Sequence, residues 1–257
     1  MIEMENLGDS FRFTNEAKTL SGLKKLKLFF RKDSYWLFKS RFERMDANLF
    51  FCGPQKRREF HNDRYLFATK TLSDYRGSGP ILDVACGLGY GTRILADTLK
   101  TSVVGADINK DAIAYAARAY GNKYCSFKTG DVLNETIFES EAFGAIISFE
   151  TIEHLSEPLV FLENASRWLK KNGTLIISTP NNWECSRYHR FRYTYDLFIN
   201  HIGKHFSINK IYVQNSGSMK IKYNCRQHRR LVPADAGNIE SAEIFIAVSN
   251  KNSGRSD

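Results

Sequence analysis

The sequence predicts an α/β fold in which a mainly parallel sheet carries helices on both faces, with a helical segment ahead of it. Three observations point there. From Ile81 onward, short apolar runs alternate with helix-length amphipathic stretches, the pattern of strands joined by crossover helices. The first of those runs leads into a glycine-rich turn. Upstream of it, the first 76 residues contain no recognisable strand.

Within that leading segment, 35–49 and 55–75 carry apolar residues at mixed spacings of three and four, as helices do, so 1–76 is read as a helical cap or lid. Arg76-Gly-Ser-Gly-Pro80 reads as a linker. The main domain, 77–250, is expected to hold strands near 81–85, 102–107, 125–129, 145–149 and 173–178. Helices are expected near 90–99, 110–120, 158–169 and 194–203. Two later apolar segments, 206–213 and 243–249, read as strands. A basic stretch of roughly thirty residues separates them, long for a plain connection. The chain turns polar from Asn250, and 251–257 is expected to be a disordered tail.

Of the 257 residues, 42% are hydrophobic and 25% charged, which excludes a disordered chain and suits one α/β domain with an appendage. No apolar run approaches the roughly 18 residues of a transmembrane segment, and no hydrophobic signal core follows the acidic N-terminus. The five cysteines, Cys52, Cys86, Cys125, Cys185 and Cys225, are odd in number and form no Cys-x-x-Cys pair. They suggest neither a disulfide framework nor a cysteine zinc site, and a cytoplasmic protein with reduced thiols is the expectation. The net charge of +9 favours phosphorylated small molecules, nucleic acid or an anionic membrane surface as partners. A basic enzyme that is merely soluble meets it equally well.

The strongest local signal is Ile81-Leu-Asp-Val-Ala-Cys-Gly-Leu-Gly-Tyr-Gly91, a buried strand running into a glycine-rich turn and then a helix. Glycines serve where the backbone turns tightly and approaches a ligand closely. Val103-Val-Gly-Ala-Asp107 follows, a strand ending in an acid 20 positions after Gly87. A carboxylate there can accept from both hydroxyls of a ribose. Thr129-Gly-Asp131-Val132 comes after the next strand, where Asp131 could accept from an adenine amino group. A dinucleotide-binding oxidoreductase is the competing reading, but its Gly-x-Gly-x-x-Gly spacing is not met, because Gly91 comes one residue early. Asp83, in the strand before the loop, would also repel a pyrophosphate, whereas it suits a ligand carrying an ammonium and a sulfonium.

On these three motifs, residues 81 to about 180 resemble the class I S-adenosylmethionine-dependent methyltransferases. The resemblance implies a Rossmann-like seven-stranded sheet whose last strand is antiparallel. It also implies that Asp83, Ala85, Gly87 and Gly89 line the methionine and ribose side of S-adenosylmethionine. Asp107 and Ile108 would hold the ribose and flank the adenine, Asp131 and Val132 would meet the adenine, and Phe149 would lie beside the cofactor. In similar enzymes a helix before the glycine loop covers the cofactor. His61-Asn-Asp-Arg-Tyr-Leu-Phe-Ala68 would be that helix, with Tyr65 facing the site and Arg64 able to pair with the cofactor carboxylate. A solvent-facing arginine beside a core tyrosine is the structural alternative.

Ser148-Phe-Glu-Thr-Ile-Glu-His-Leu-Ser-Glu-Pro158 follows the fourth strand, at the sheet edge where ligands bind. Glu150, Glu153 and His154 are spaced so that one turn of helix would gather them on one side. Methyl transfer needs chiefly alignment of nucleophile and methyl, and a hydroxyl nucleophile also needs a base or a metal. His154 or His189 is the expected general base, with Glu150 beside them. Phe-Glu-x-Ile-Glu-His is widespread in small-molecule members of the family. It is also similar to the RNA 3′-end 2′-O-methyltransferases, where both glutamates, the histidine and one later histidine bind a divalent metal. By that likeness Glu150, Glu153, His154 and His189 form a candidate set for Mg or Mn. The alternatives are a packed or substrate-binding His189 and a helix-capping Glu153.

Three features bear on the acceptor. Leu23-Lys-Lys-Leu-Lys-Leu-Phe-Phe-Arg-Lys32 is basic and amphipathic, fit for a lid helix or an anionic membrane. Lys220-Ile-Lys-Tyr-Asn-Cys-Arg-Gln-His-Arg-Arg230 could hold a phosphate-bearing acceptor or be solvated charge. Arg64-Tyr-Leu-Phe-Ala68 with the glycine loop loosely resembles methyltransferases of bacterial surface-polysaccharide and natural-product clusters. The expectation is O-methylation of a sugar, a nucleotide-linked sugar or another glycan precursor. RNA 2′-O-methylation is the runner-up, N-methylation of an amino sugar stays open, and a non-catalytic methyltransferase-like binding subunit is the alternative outside enzymes.

Overall fold

A computed structural model describes residues 55–73, 79–185, 189–215 and 231–252. The 35–49 helix, Leu23–Lys32, most of the linker, Lys220–Arg230 and 253–257 lie outside the described residues. Helix α1 (Gln55–Thr71) leads into β1 (Ile81–Val84), α2 (Tyr90–Leu99), β2 (Val103–Asp107), α3 (Lys110–Tyr120), β3 (Cys125–Thr129) and β4 (Phe143–Ser148). Helix α4 (Pro158–Trp168), β5 (Leu169–Pro180), α5 (Tyr195–Gly203), β6 (Phe206–Gln214), β7 (Val232–Pro233) and β8 (Ile244–Lys251) complete the chain.

The strands form one mixed sheet in the order β3-β2-β1-β4-β5-β8-β6-β7. Strands β1 to β5 pair in parallel. The last long strand, β8, inserts antiparallel between β5 and β6. The architecture is therefore the expected Rossmann-like one, with an eighth strand added. That strand, β7, is two exposed residues on the sheet edge against Tyr212 and Val213. It is too short to carry a period, and its proline is tolerated because it sits at an edge.

Alternation along the strands sends side chains to two cores. Leu82 and Val84, Ile146, Leu175 and Ile177, Phe245 and Ala247 face one core with Phe161, Leu162 and Trp168 of α4 and Phe198 of α5. Ile81, Ala145 and Ile147, Ile176 and Ile246 face the other with Tyr65 and Ala68 of α1 and Leu95 and Ala96 of α2. Each fully buried large apolar side chain contributes roughly 1.5–3 kcal/mol. A central parallel sheet buried on both faces explains why its strands read as continuous apolar runs. The helices start on local signals: Asn109 accepts from the N–H groups of Asp111 and Ala112, Thr194 accepts from Leu197, and Pro158 opens α4.

Three boundaries differ from expectation. Strand β5 starts at Leu169, four residues early, because Leu169 pairs with Phe143 and the polar Lys170–Gly173 form the bulge between that pair and Thr174. Asn250 and Lys251, expected in the frayed tail, pair in the ladder opposite Ser207 and Phe206. Helix α1 stops at Thr71 rather than 75. Among the described residues no helix is long and apolar enough to cross a membrane.

Candidate functional site

The site gathers at the carboxyl ends of β1, β2, β4 and β5, where β1 lies between β2 and β4 and the crossovers leave in opposite directions. Gly89 stands at φ 85° as the N-cap of α2, and no side chain caps that helix start. A Cβ on Gly91 would fall 1.9 Å from the Tyr65 ring, so this glycine lets α1 lie against the loop. The phenol of Tyr65 in turn donates to Asp83 (3.4 Å), and Thr92 donates to the other oxygen (2.6 Å).

Asp83 is fully buried, and that burial pushes its carboxyl up to about 7, against the opposing pull of the Thr92 and Tyr65 hydroxyls. Asp107 is bound by two backbone amides: Gly87 N–H donates to Oδ2 (3.0 Å) and Asn109 N–H to Oδ1 (2.8 Å). Burial still raises its carboxyl above the ordinary range. A carboxylate has about four lone-pair sites, so each oxygen keeps capacity for a ribose hydroxyl. Ala85 sits at φ 53° in the same loop.

The segments after β2 and β3, where the adenine is expected, are more open. Ile108 is 68% exposed, an apolar surface in want of a cover. Asp131 is exposed, with Oδ1 accepting from Leu133 N–H at 2.9 Å. Val132 has its side chain buried in the larger core, and its carbonyl accepts from Asn164.

Arg64 is buried, its guanidinium donating to His61 Nδ1 (2.6 Å) and standing 3.6 Å from Glu150 Oε1. It is not the solvent-facing arginine of the structural alternative. Tyr65 meets Phe149 edge-to-face at 5.1 Å, closing the floor. Glu150 does not share a helical turn with Glu153 and His154. It stands at φ 53° ahead of the short 3₁₀ turn Ile152–His154 and faces Arg64 and Ser178.

Glu153 is buried, takes a hydrogen bond from Thr179 (3.4 Å), and lies 3.7 Å from His154 Nε2. Burial pushes its carboxyl well above the usual range and the nearby Glu150 pushes it further, while Thr179 and Arg64 pull the other way. The Glu153 carbonyl accepts from the N–H groups of Arg190 and Phe191 (2.8 and 3.1 Å). That anchor brings His189 to His154, ring centroids 4.7 Å apart.

Glu153, His154 and His189 thus form a cluster whose donor atoms lie within 4.8 Å of one another. Glu150, the fourth member of the expected metal set, is not in it, because the left-handed turn directs it to Arg64. One carboxylate and two imidazoles suit a borderline divalent ion. Ligand atoms around such an ion sit roughly 3–3.5 Å apart at usual bond lengths, so the cluster would have to contract. Neither Thr92, Ser178 nor Thr179 was singled out by sequence reasoning. Their contacts to Asp83, Glu150 and Glu153 span 9, 28 and 26 positions and leave no local spacing signal. The exposed Trp183 and the histidine partner of Arg64, His61, were missed as well.

Comparison with known proteins fits this geometry. Residues 82–177 match a family model described as a methyltransferase domain. Phosphoethanolamine N-methyltransferase 1 of Triticum aestivum is 30% identical over 107 residues, 41% of this chain and 21% of that protein. Ubiquinone biosynthesis O-methyltransferase of Bradyrhizobium diazoefficiens is 30% identical over 105 residues, 40% of this chain and 41% of that one. The matched region thus spans between about a fifth and two-fifths of these relatives' own length. Among solved structures, the [4+2]-cyclase SpnF superposes with a TM-score of 0.58 at 17% identity, covering 75% of this chain and 82% of that one. That likeness carries the fold alone.

Proposed function

We propose that this chain, which carries a class I S-adenosylmethionine-dependent methyltransferase domain, methylates a hydroxyl of a small-molecule acceptor, with a sugar, nucleotide-linked sugar or other glycan precursor as the acceptor class. The observation that carries the choice of a hydroxyl is the proximity of buried Glu153 to half-exposed His154, in the short turn that follows β4. A sulfonium needs no acid to release its methyl, whereas a hydroxyl needs somewhere to send its proton.

When bound, S-adenosylmethionine supplies a methyl already activated on sulfur. The chain's residues do the rest. Arg64 would pair with the methionine carboxylate and Asp83 with its ammonium, while Asp107 would hold the ribose. Ile108 and Asp131 would flank the adenine, and Tyr65, Ala85, Gly87, Gly89 and Phe149 would close the pocket. His154 would take the acceptor's proton as its oxygen bonds to the methyl carbon and the carbon–sulfur bond breaks. Glu153, whose carboxyl burial holds toward its neutral form, would pack beside the imidazole as a polar neighbour, and His189 would hold its ring edge-on. Residues 1–76 would act as the cap, and α1 is its described part.

The names of relatives span nitrogen and oxygen acceptors. The family therefore sets the donor chemistry, and the acceptor pocket sets the atom. A second reading, metal-assisted methylation of a hydroxyl such as an RNA 2′-OH, is favoured by one observation, the Glu153–His154–His189 cluster. Methyl transfer to a panel of hydroxyl and amine acceptors, measured with Mg²⁺, Mn²⁺ or EDTA, separates the two. Turnover that survives EDTA but falls in His154→Ala supports the base. Turnover lost in EDTA and restored by Mn²⁺ supports the ion.

A further inference from the structure

The loop after β5 presents a side chain that cofactor binding does not account for. Trp183 is 48% exposed, and its ring stacks on that of His189 at 5.7 Å and 25°. His189 is itself buried and edge-on to His154. An indole and two imidazoles thus form one continuous wall from the surface to the proposed base.

Two guanidinium groups accompany it. Arg192 Nε donates to Asn182 Oδ1 (2.6 Å), and Asn182 N–H donates to the Tyr193 carbonyl (2.6 Å), which fixes the exposed Arg192 beside the loop that carries Trp183. Arg190 follows His189 directly, is exposed, and has its backbone held by the Glu153 carbonyl. Glu184 is the exposed acid among them. A solvent-facing indole braced on a buried ring offers a flat ring a stacking platform. Planar guanidinium groups match phosphate oxygens in bidentate geometry.

We infer that Trp183, Arg190 and Arg192 form the acceptor-binding rim, and that the acceptor carries a phosphate together with a flat ring, as a nucleotide or nucleotide-linked sugar does. The inference rests on the methyl-transfer reading above, because it takes the wall to lead the acceptor to His154.

Calorimetry on the full chain saturated with S-adenosylhomocysteine tests it, with uridine diphosphate glucose, glucose and inorganic phosphate as probes. Uridine diphosphate glucose should bind well above the other two. Trp183→Ala and Arg192→Gln should each weaken it by on the order of tenfold. Trp183→Phe should restore most of the loss, and S-adenosylhomocysteine affinity should not move in any variant. Equal affinity in wild type and both variants, or no binding by the loaded wild type, overturns the rim. A single-stranded oligonucleotide whose affinity keeps growing beyond one nucleotide assigns the rim to RNA and overturns the small-molecule acceptor. Failure of S-adenosylhomocysteine to bind the wild type strikes the methyl-transfer reading itself.

Discussion

Ser178 holds Glu150 twice: its Oγ accepts from the Glu150 backbone N–H at 3.1 Å and donates to Glu150 Oε1 at 3.0 Å. One hydroxyl on β5 therefore fixes both the left-handed backbone and the carboxylate of a residue at the end of β4. The carboxylate reaches Arg64 on α1, so α1, the end of β4 and β5 are joined by one polar chain. Ser178→Ala should cost about 1–3 kcal/mol in urea unfolding, since the buried serine makes both bonds. S-adenosylhomocysteine affinity should fall with it as Arg64 loses a fixed neighbour.

Asp83 sets a pH dependence. Its carboxyl, near the usual 3.9 when unfolded, is raised to about 7 by burial. A raised carboxyl favours the protonated folded state, so this group's contribution to stability is full below about pH 4 and is lost as pH rises through about 7. Pairing with the cofactor's ammonium favours the ionised form. Binding should then release a proton below pH 7, and affinity should rise by up to about tenfold per pH unit until that point. Calorimetry in buffers of differing ionisation enthalpy reads the proton directly, and Asp83→Asn should abolish the slope.

Gly91 is a steric prediction. A Cβ there meets the Tyr65 ring at 1.9 Å, and its nearest neighbours are ring atoms. Gly91→Ala should destabilise by about 1–3 kcal/mol through overpacking. The loss should be smaller in a Tyr65→Leu background, which a double-mutant cycle by thermal unfolding would detect.

Glu153 and His154 divide the proton's path. Glu153→Gln keeps size and the Thr179 contact but removes the ionisable carboxyl beside the imidazole. Its kcat should fall by about tenfold, less than the roughly 100- to 10,000-fold of a lost base, with cofactor affinity unchanged. A variant that retains wild-type kcat on a hydroxyl acceptor would remove the pair from the mechanism.

Much of this was readable in the chain. Short, largely apolar runs at Ile81–Val84 and Phe143–Ser148 announce strands buried on both faces, and Gly87 and Gly89 before an amphipathic helix announce the loop. The ends of Asn109-capped and Thr194-capped helices follow from single side chains. What was not legible depends on contacts between distant segments. Nothing local says that Glu150 turns left-handed, because Ser178 holds it from 28 positions away. Nothing local brings His189 to His154, because the link is a backbone carbonyl of Glu153. The start of β5 hid behind polar Lys170–Asn172, an irregular stretch between the Phe143–Leu169 pair and the ladder that resumes at Thr174.

The account rests first on a cofactor pocket formed around Asp107. Calorimetric titration of the full chain with S-adenosylhomocysteine, in EDTA, tests it most directly. The account predicts one-to-one binding that Asp107→Ala weakens by on the order of tenfold to a hundredfold, as loss of a charged hydrogen-bond acceptor would. Absence of binding, or binding of equal strength in the variant, would contradict it.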